Sequence, residues 1–324
     1  MLILLATISW VVAAQELTIG DLVKLKGQEY SDAREQLIKR DELKEYTPKG
    51  AHEMVAWRSI QIWRTHLKLH SDLLEAEHAG PGIFSGRVTA AGLWYNIVSM
   101  DIKIDEEKFF LFSEALLFQP FNAWSKEAGE KSAYWSQLTF LYTDTKEISL
   151  RNRSAIMIEV IRLYGKPCAR DVVSYLGTGH FHSGAGLDLI AEIVFGVDQP
   201  LLTDALDSVV LLLPATHRWD YEFLKNGIES RVTIIKSLTS EGAARKRADV
   251  LIALADGLRQ HGLLLLDFGK YFNMPVGVEL LKAFDEASQK LDQSELKKSV
   301  QQLKDAIAAY PADAKNAFVP EDRK

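Results

Sequence analysis

The spacing of apolar side chains constrains the fold more than any other feature of the sequence. In the segment 53–79, one stripe steps by three and four residues through Ala56, Ile60, Trp63, Leu67, His70 and Leu74. Two further stripes near the C-terminus, within 280–291 and 296–307, repeat this spacing. A step of three and four places each set on one face of a helix. No region shows several short strands separated by regular turns, so the sequence predicts an all-α protein.

Charged residues and prolines indicate where several of these helices begin and end. The carboxylates of 105–107 favour a helix N-terminus, and Pro120 predicts the end of that helix. Asp292 and Glu295 have the spacing of a capping box, which predicts that a new helix begins between the two C-terminal stripes. The two stripes therefore predict a helical hairpin that ends at Pro311.

Three prolines suggest an internal repeat. Pro120, Pro167 and Pro214 are each 47 residues apart, and an apolar helical segment precedes each one. This period lies near the upper end of HEAT and armadillo-type units, in which helical pairs stack and share a continuous core. We therefore predict helical hairpins stacked as a HEAT-like α-solenoid. A closed α/α toroid or bundle is the alternative, and a mixed fold is a third interpretation.

The first residues predict export. The segment 2–14 is apolar and uncharged, but it is shorter than the roughly 20 residues that span a bilayer. Small residues before Gln15 are typical of a signal-peptidase site, although no Lys or Arg follows Met1. The alternative is a buried N-terminal helix. We predict a cleaved signal peptide over 1–14, one helical domain over 15–311 and a polar tail over 312–324. The mature chain would then be secreted or periplasmic, without an integral membrane span.

Charge and cysteine content exclude several functional classes. The net charge is −6, whereas a general nucleic-acid binder carries a basic excess, so we expect no nucleic-acid partner. Cys168 is the only cysteine, which excludes an intrachain disulfide and a cysteine-rich zinc site.

The segment 177–186, GTGHFHSGAG, is the richest candidate for chemistry. Its glycines permit close approach of the backbone to a ligand, and His180 and His182 would present two imidazoles from one loop. The segment lacks a dinucleotide fingerprint because His182 occupies the third glycine position. It also lacks a nucleophile elbow, since Phe181 stands where that motif requires glycine. We favour a flexible connection between two helices over a functional loop.

A second candidate is a metal site. His66 and His70 are four residues apart and would project from one side of a helix, with Glu77 two turns further on as a third ligand. Because His70 falls on the apolar stripe, a histidine at the edge of the core is the favoured alternative.

Two main functional hypotheses follow, and a metal or lipid carrier based on His66 and His70 is a third option. The favoured one is a non-enzymatic interaction or scaffold protein that presents a groove to a protein or peptide partner and needs no cofactor. The alternative is a secreted enzyme on a helical toroid, such as a polysaccharide lyase. In that enzyme His180 or His182 would be the base, Tyr175 or Tyr221 the acid, and Arg218 would neutralise the substrate carboxylate.

Overall fold

The computed structural model describes residues 17–40, 45–66, 105–118, 148–165, 168–169, 184–198, 201–203, 205–206 and 221–310. Every regular element within these residues is helical, and the prediction of an all-α protein is confirmed for them. Numbered in chain order, the described helices are α1 (Ile19–Leu22), α2 (Gly27–Ile38), α3 (Ala51–Thr65), α4 (Asp105–Phe118), α5 (Leu150–Tyr164), α6 (Gly184–Gly196), α7 (Tyr221–Ala244), α8 (Ala248–Gly257), α9 (Leu264–Tyr271), α10 (Val276–Leu291) and α11 (Ser294–Ala309). A π-helical turn, Leu258–Gly262, joins α8 to α9.

The described helices pack mainly against helices that are near them in chain order. Helices α1 and α2 pack on α3, α3 packs on α4 and α5, and α5 packs on α6. Helix α6 continues the series onto α7, which contacts α8 and α10, and α11 packs on α8 and α10. One cluster of buried apolar side chains runs through this series; its bulkiest fully buried members include Tyr30, Trp63, Phe109, Phe118 and Phe284. Pro120, Pro167 and Pro214 lie outside the described residues, so the 47-residue repeat stays a prediction.

The C-terminal hairpin is confirmed, but the predicted cap between its helices is wrong. Helix α10 packs on α11. Each helix buries its predicted apolar stripe, including Phe284 and Val300, except for the last residue of each stripe, Leu291 and Ile307, which are partly buried against the core. Asp292 is the C-cap of α10, in the left-handed conformation with φ 50° and ψ 36°. The N-cap of α11 is Gln293, which makes no side-chain cap bond. Asp292 therefore lies one residue before the capping position, and its carboxylate accepts a hydrogen bond from Lys297 instead.

Two glycines of helix α7 predict opposite effects of the same substitution. A Cβ at Gly242 would lie 2.6 Å from Cδ2 and 3.0 Å from Cγ of the buried Leu251, whereas a Cβ at Gly227 has nothing within 4 Å. We expect Gly242→Ala to lower the free energy of unfolding by about 1–3 kcal/mol through overpacking. Gly227→Ala should raise it by about 0.4–1 kcal/mol, because alanine restricts the unfolded chain and favours the helix. Urea unfolding of both variants checks this, and a shift of the same sign in both would contradict it.

Candidate functional site

The residues of the predicted enzymatic site fall almost entirely outside the described residues. This applies to His180, His182 and Arg218. Tyr221 is the first residue of α7, and only its backbone is described. The predicted signal segment 1–14 also lies outside the described residues. The glycine-loop and export hypotheses therefore stay predictions.

His66 lies at the end of a helix rather than within one. Helix α3 ends at Thr65, and His66 is its C-cap with φ −111° and ψ 43°, so the prediction of one continuous helix over 53–79 is wrong. The His66 ring is anchored on α4, since its Nε2 lies 3.0 Å from Oε2 of Glu107. His70 and Glu77 lie outside the described residues, so the metal site stays a prediction. No cluster of His, Cys, Asp and Glu suited to a metal ion occurs in the part of the chain that the structure describes.

A buried carboxylate joins helices α2, α3 and α4. Both oxygens of Glu114 are bound: Oε1 accepts a hydrogen bond from the Tyr30 hydroxyl at 2.8 Å, and Oε2 accepts one from Trp63 Nε1 at 2.9 Å. The Arg34 guanidinium lies 3.4 Å from Oε1 and over the Trp63 ring. These four residues, here called the Glu114 network, are at most 2% exposed.

The Glu114 network is closed to solvent, which indicates a structural rather than a catalytic task. Burial and the neighbouring Glu114 charge raise the pKa of Tyr30 well above its ordinary value, so its hydroxyl remains a donor to the carboxylate. The sequence carried one signal for this network: Glu114 is the only charged residue in the run 109–118, whose other residues are apolar except for Ser113. Because charged side chains are rarely buried unless paired, such a residue indicates a buried partner.

A second set of polar side chains surrounds Phe118, the last residue of α4, and extends to the protein surface. The Lys26 ammonium lies 4.9 Å from the Phe118 ring centroid and donates a hydrogen bond to the Leu117 carbonyl. The His52 ring stands edge-on to Phe118 at 5.9 Å, and its Nδ1 lies 3.8 Å from Oε2 of Glu159. We call Lys26, His52, Phe118 and Glu159 the Phe118 cluster.

The two basic side chains of the Phe118 cluster, Lys26 and His52, both have pKa values below those of ordinary surface groups. Partial burial lowers the pKa of Lys26. Partial burial also lowers the pKa of His52; the Glu159 carboxylate opposes this shift, and the Lys26 charge adds to it. His52 therefore favours its neutral form at neutral pH.

From His52, a row of partly exposed charged side chains continues across the surface. Glu159 Oε1 lies 2.5 Å from an Arg162 nitrogen, and Arg162 Nε donates to Asp198 at 3.0 Å. His52, Glu159, Arg162 and Asp198, here called the polar row, have side chains that are 26–61% exposed. The polar row connects α3, α5 and the residues that follow α6, which the linear order of the sequence does not reveal.

Comparison with protein-family models, with curated proteins and with solved structures finds no match for this chain. Within the described residues, no helix combines the length and the apolar composition needed to cross a bilayer.

Proposed function

We propose that this chain is a secreted or periplasmic helical interaction protein that binds a protein or peptide partner along the polar row. The observation that supports this proposal is the continuity of the row across helices that pack side by side. Helix α3 packs on α5, and α5 packs on α6. His52 of α3 lies 3.8 Å from Glu159 of α5, and Arg162 of α5 forms ion pairs with Glu159 and with Asp198, which follows α6. Helices stacked in chain order form extended surfaces of the kind that repeat proteins use for binding.

The chemistry of the polar row favours a partner segment with charges of both signs. The Arg162 cation lies between the Glu159 and Asp198 carboxylates, so a complementary segment would exchange these surface pairs for intermolecular ones. Such complementarity contributes mainly to specificity and to the rate of association. Leu163 stands four residues after Glu159 on α5 and is 48% exposed, which adds an apolar side chain beside this carboxylate.

The C-terminal hairpin is consistent with the proposed stacked, HEAT-like architecture. Helix α11 buries Leu296, Val300 and Leu303 against its neighbours. Its other face is polar and exposed at Lys297, Lys298, Gln301, Gln302 and Asp305. A polar outer face of this kind is typical of a helical pair whose outer side faces water.

Site-specific photo-crosslinking in the producing cell tests the proposal. A photoreactive residue replaces Leu163, which lies beside the polar row, or, as the matched control, Val278 on α10, which is 71% exposed. We expect one defined polypeptide to be crosslinked from position 163 and not from 278. Mass spectrometry then identifies it, and calorimetry measures its affinity for the purified protein.

The affinity of the identified partner decides between direct recognition and chance contact. Arg162→Glu should weaken binding by about tenfold or more, because it reverses the central charge of the row. Its circular dichroism should match the wild type, since surface ion pairs contribute only about 0–1 kcal/mol to stability. Equal crosslinking from both positions, or an affinity unchanged by Arg162→Glu, would contradict the proposal.

A further inference from the structure

Two groups that can carry positive charge contact the same aromatic ring at the end of α4. Lys26, the N-cap of α2, places its ammonium 4.9 Å from the centroid of Phe118. His52, in the first turn of α3, stands edge-on to that ring at 5.9 Å. Phe118 itself is completely buried, so both groups lie where their access to water is reduced.

The charged groups around His52 do not balance the positive charge that its ring would gain on protonation. Glu159 on α5 is the carboxylate beside the ring, at 3.8 Å, and its other oxygen already binds Arg162. From α2, the facing group is the Lys26 cation, and from α4 it is the uncharged Phe118 ring. Protonated His52 would therefore share one carboxylate with Arg162 while it faces Lys26.

We propose that the Phe118 cluster is an acid-sensitive latch, in which protonation of His52 releases its ring from Phe118 and loosens the contact between the first turn of α3 and the last turn of α4. The latch does not rest on the proposed binding function. The direction follows from linkage, because the closed arrangement favours neutral His52. The stabilisation that neutral His52 gives to the closed arrangement is fully present above the ordinary histidine pKa of 6.5. It is lost as the pH falls through 6.5 toward the lower pKa of His52 in the closed arrangement.

The first test measures the His52 pKa directly in the full chain with histidine-selective isotope labelling and NMR. We expect a value below the ordinary one, and Lys26→Met should raise it by removing the facing charge. Lys24→Met is the matched control. Lys24 precedes Lys26 by two residues in the sequence, but it pairs with Asp21 and its side chain is 72% exposed, so its removal should leave the His52 pKa unchanged. An ordinary His52 pKa, or equal effects of the two substitutions, would overturn the latch.

The second test asks whether the titration opens the contact. Amide hydrogen exchange at 116–118, corrected for its intrinsic pH dependence, should accelerate between about pH 7 and pH 5. The exchange rate should increase by up to about tenfold for each unit by which the pKa of His52 is lowered in the closed arrangement. His52→Gln keeps a polar side chain that does not titrate, and it should abolish the acceleration. The latch would be refuted if the acceleration persists in this variant or if the wild type shows none.

Discussion

Glu114→Gln is expected to lower the free energy of unfolding by about 3–5 kcal/mol. The substitution preserves size but removes the charge that compensates Arg34, which is 2% exposed. It also replaces one of two acceptor oxygens with an NH2 group, whereas in the wild type one Glu114 oxygen accepts from Tyr30 and the other from Trp63 Nε1. Whichever way the amide is oriented, either the Tyr30 hydroxyl proton or the Trp63 N–H loses its acceptor in a site closed to solvent.

The control for this prediction is a glutamate at the surface. Glu279→Gln removes an ion pair to Lys236 whose side chains are 41% and 46% exposed, so it should cost no more than about 1 kcal/mol. Chemical denaturation of both variants measures the free energy of unfolding that each substitution removes. The dependence of this free energy on denaturant concentration is compared with that of the wild type. A loss for Glu114→Gln as small as that for Glu279→Gln would show that the Glu114 network does not hold the helices together.

Phe284→Ala is expected to cost about 3–5 kcal/mol, because it removes a large aromatic side chain from a fully buried position on α10. Helix α10 packs on α7, α9 and α11, and Phe284 belongs to the buried apolar cluster that these helices share. The matched control is Val278→Ala on the same helix, where the side chain is 71% exposed and its truncation should change stability by less than about 0.5 kcal/mol.

Thermal unfolding of the two α10 variants measures this difference. The C-terminal hairpin belongs to the same buried cluster as the N-terminal helices, so we expect Phe284→Ala to lower the midpoint of a single transition. If the hairpin instead melts in a separate, earlier transition while the rest of the signal is unchanged, it is not part of the shared core.

Local periodicity was sufficient to predict the helical class and several helices. The stripes over 280–291 and 296–307 correspond to α10 and α11, and the apolar residues of 154–164 lie in α5. These predictions succeeded because the burial of one helix face imposes a spacing of three and four residues that the sequence alone displays. Helix ends were less predictable, because they depend on single contacts. Asp292 ends α10 in a left-handed conformation, and His66 ends α3 with its ring bound to Glu107.

The tertiary structure decided which polar side chains contact one another. Glu114 pairs with side chains 51 and 84 residues away in the sequence, and Lys26, His52 and Glu159 come from three separate elements. A helical pattern specifies which face of a segment is buried, but neither the order in which helices pack nor their rotation and offset against one another. The sequence by itself therefore determined the all-α class and the faces that form the core. The packing of α2, α3, α4 and α5 created the Glu114 network and the Phe118 cluster, because such contacts depend on distances between helices that no local spacing encodes.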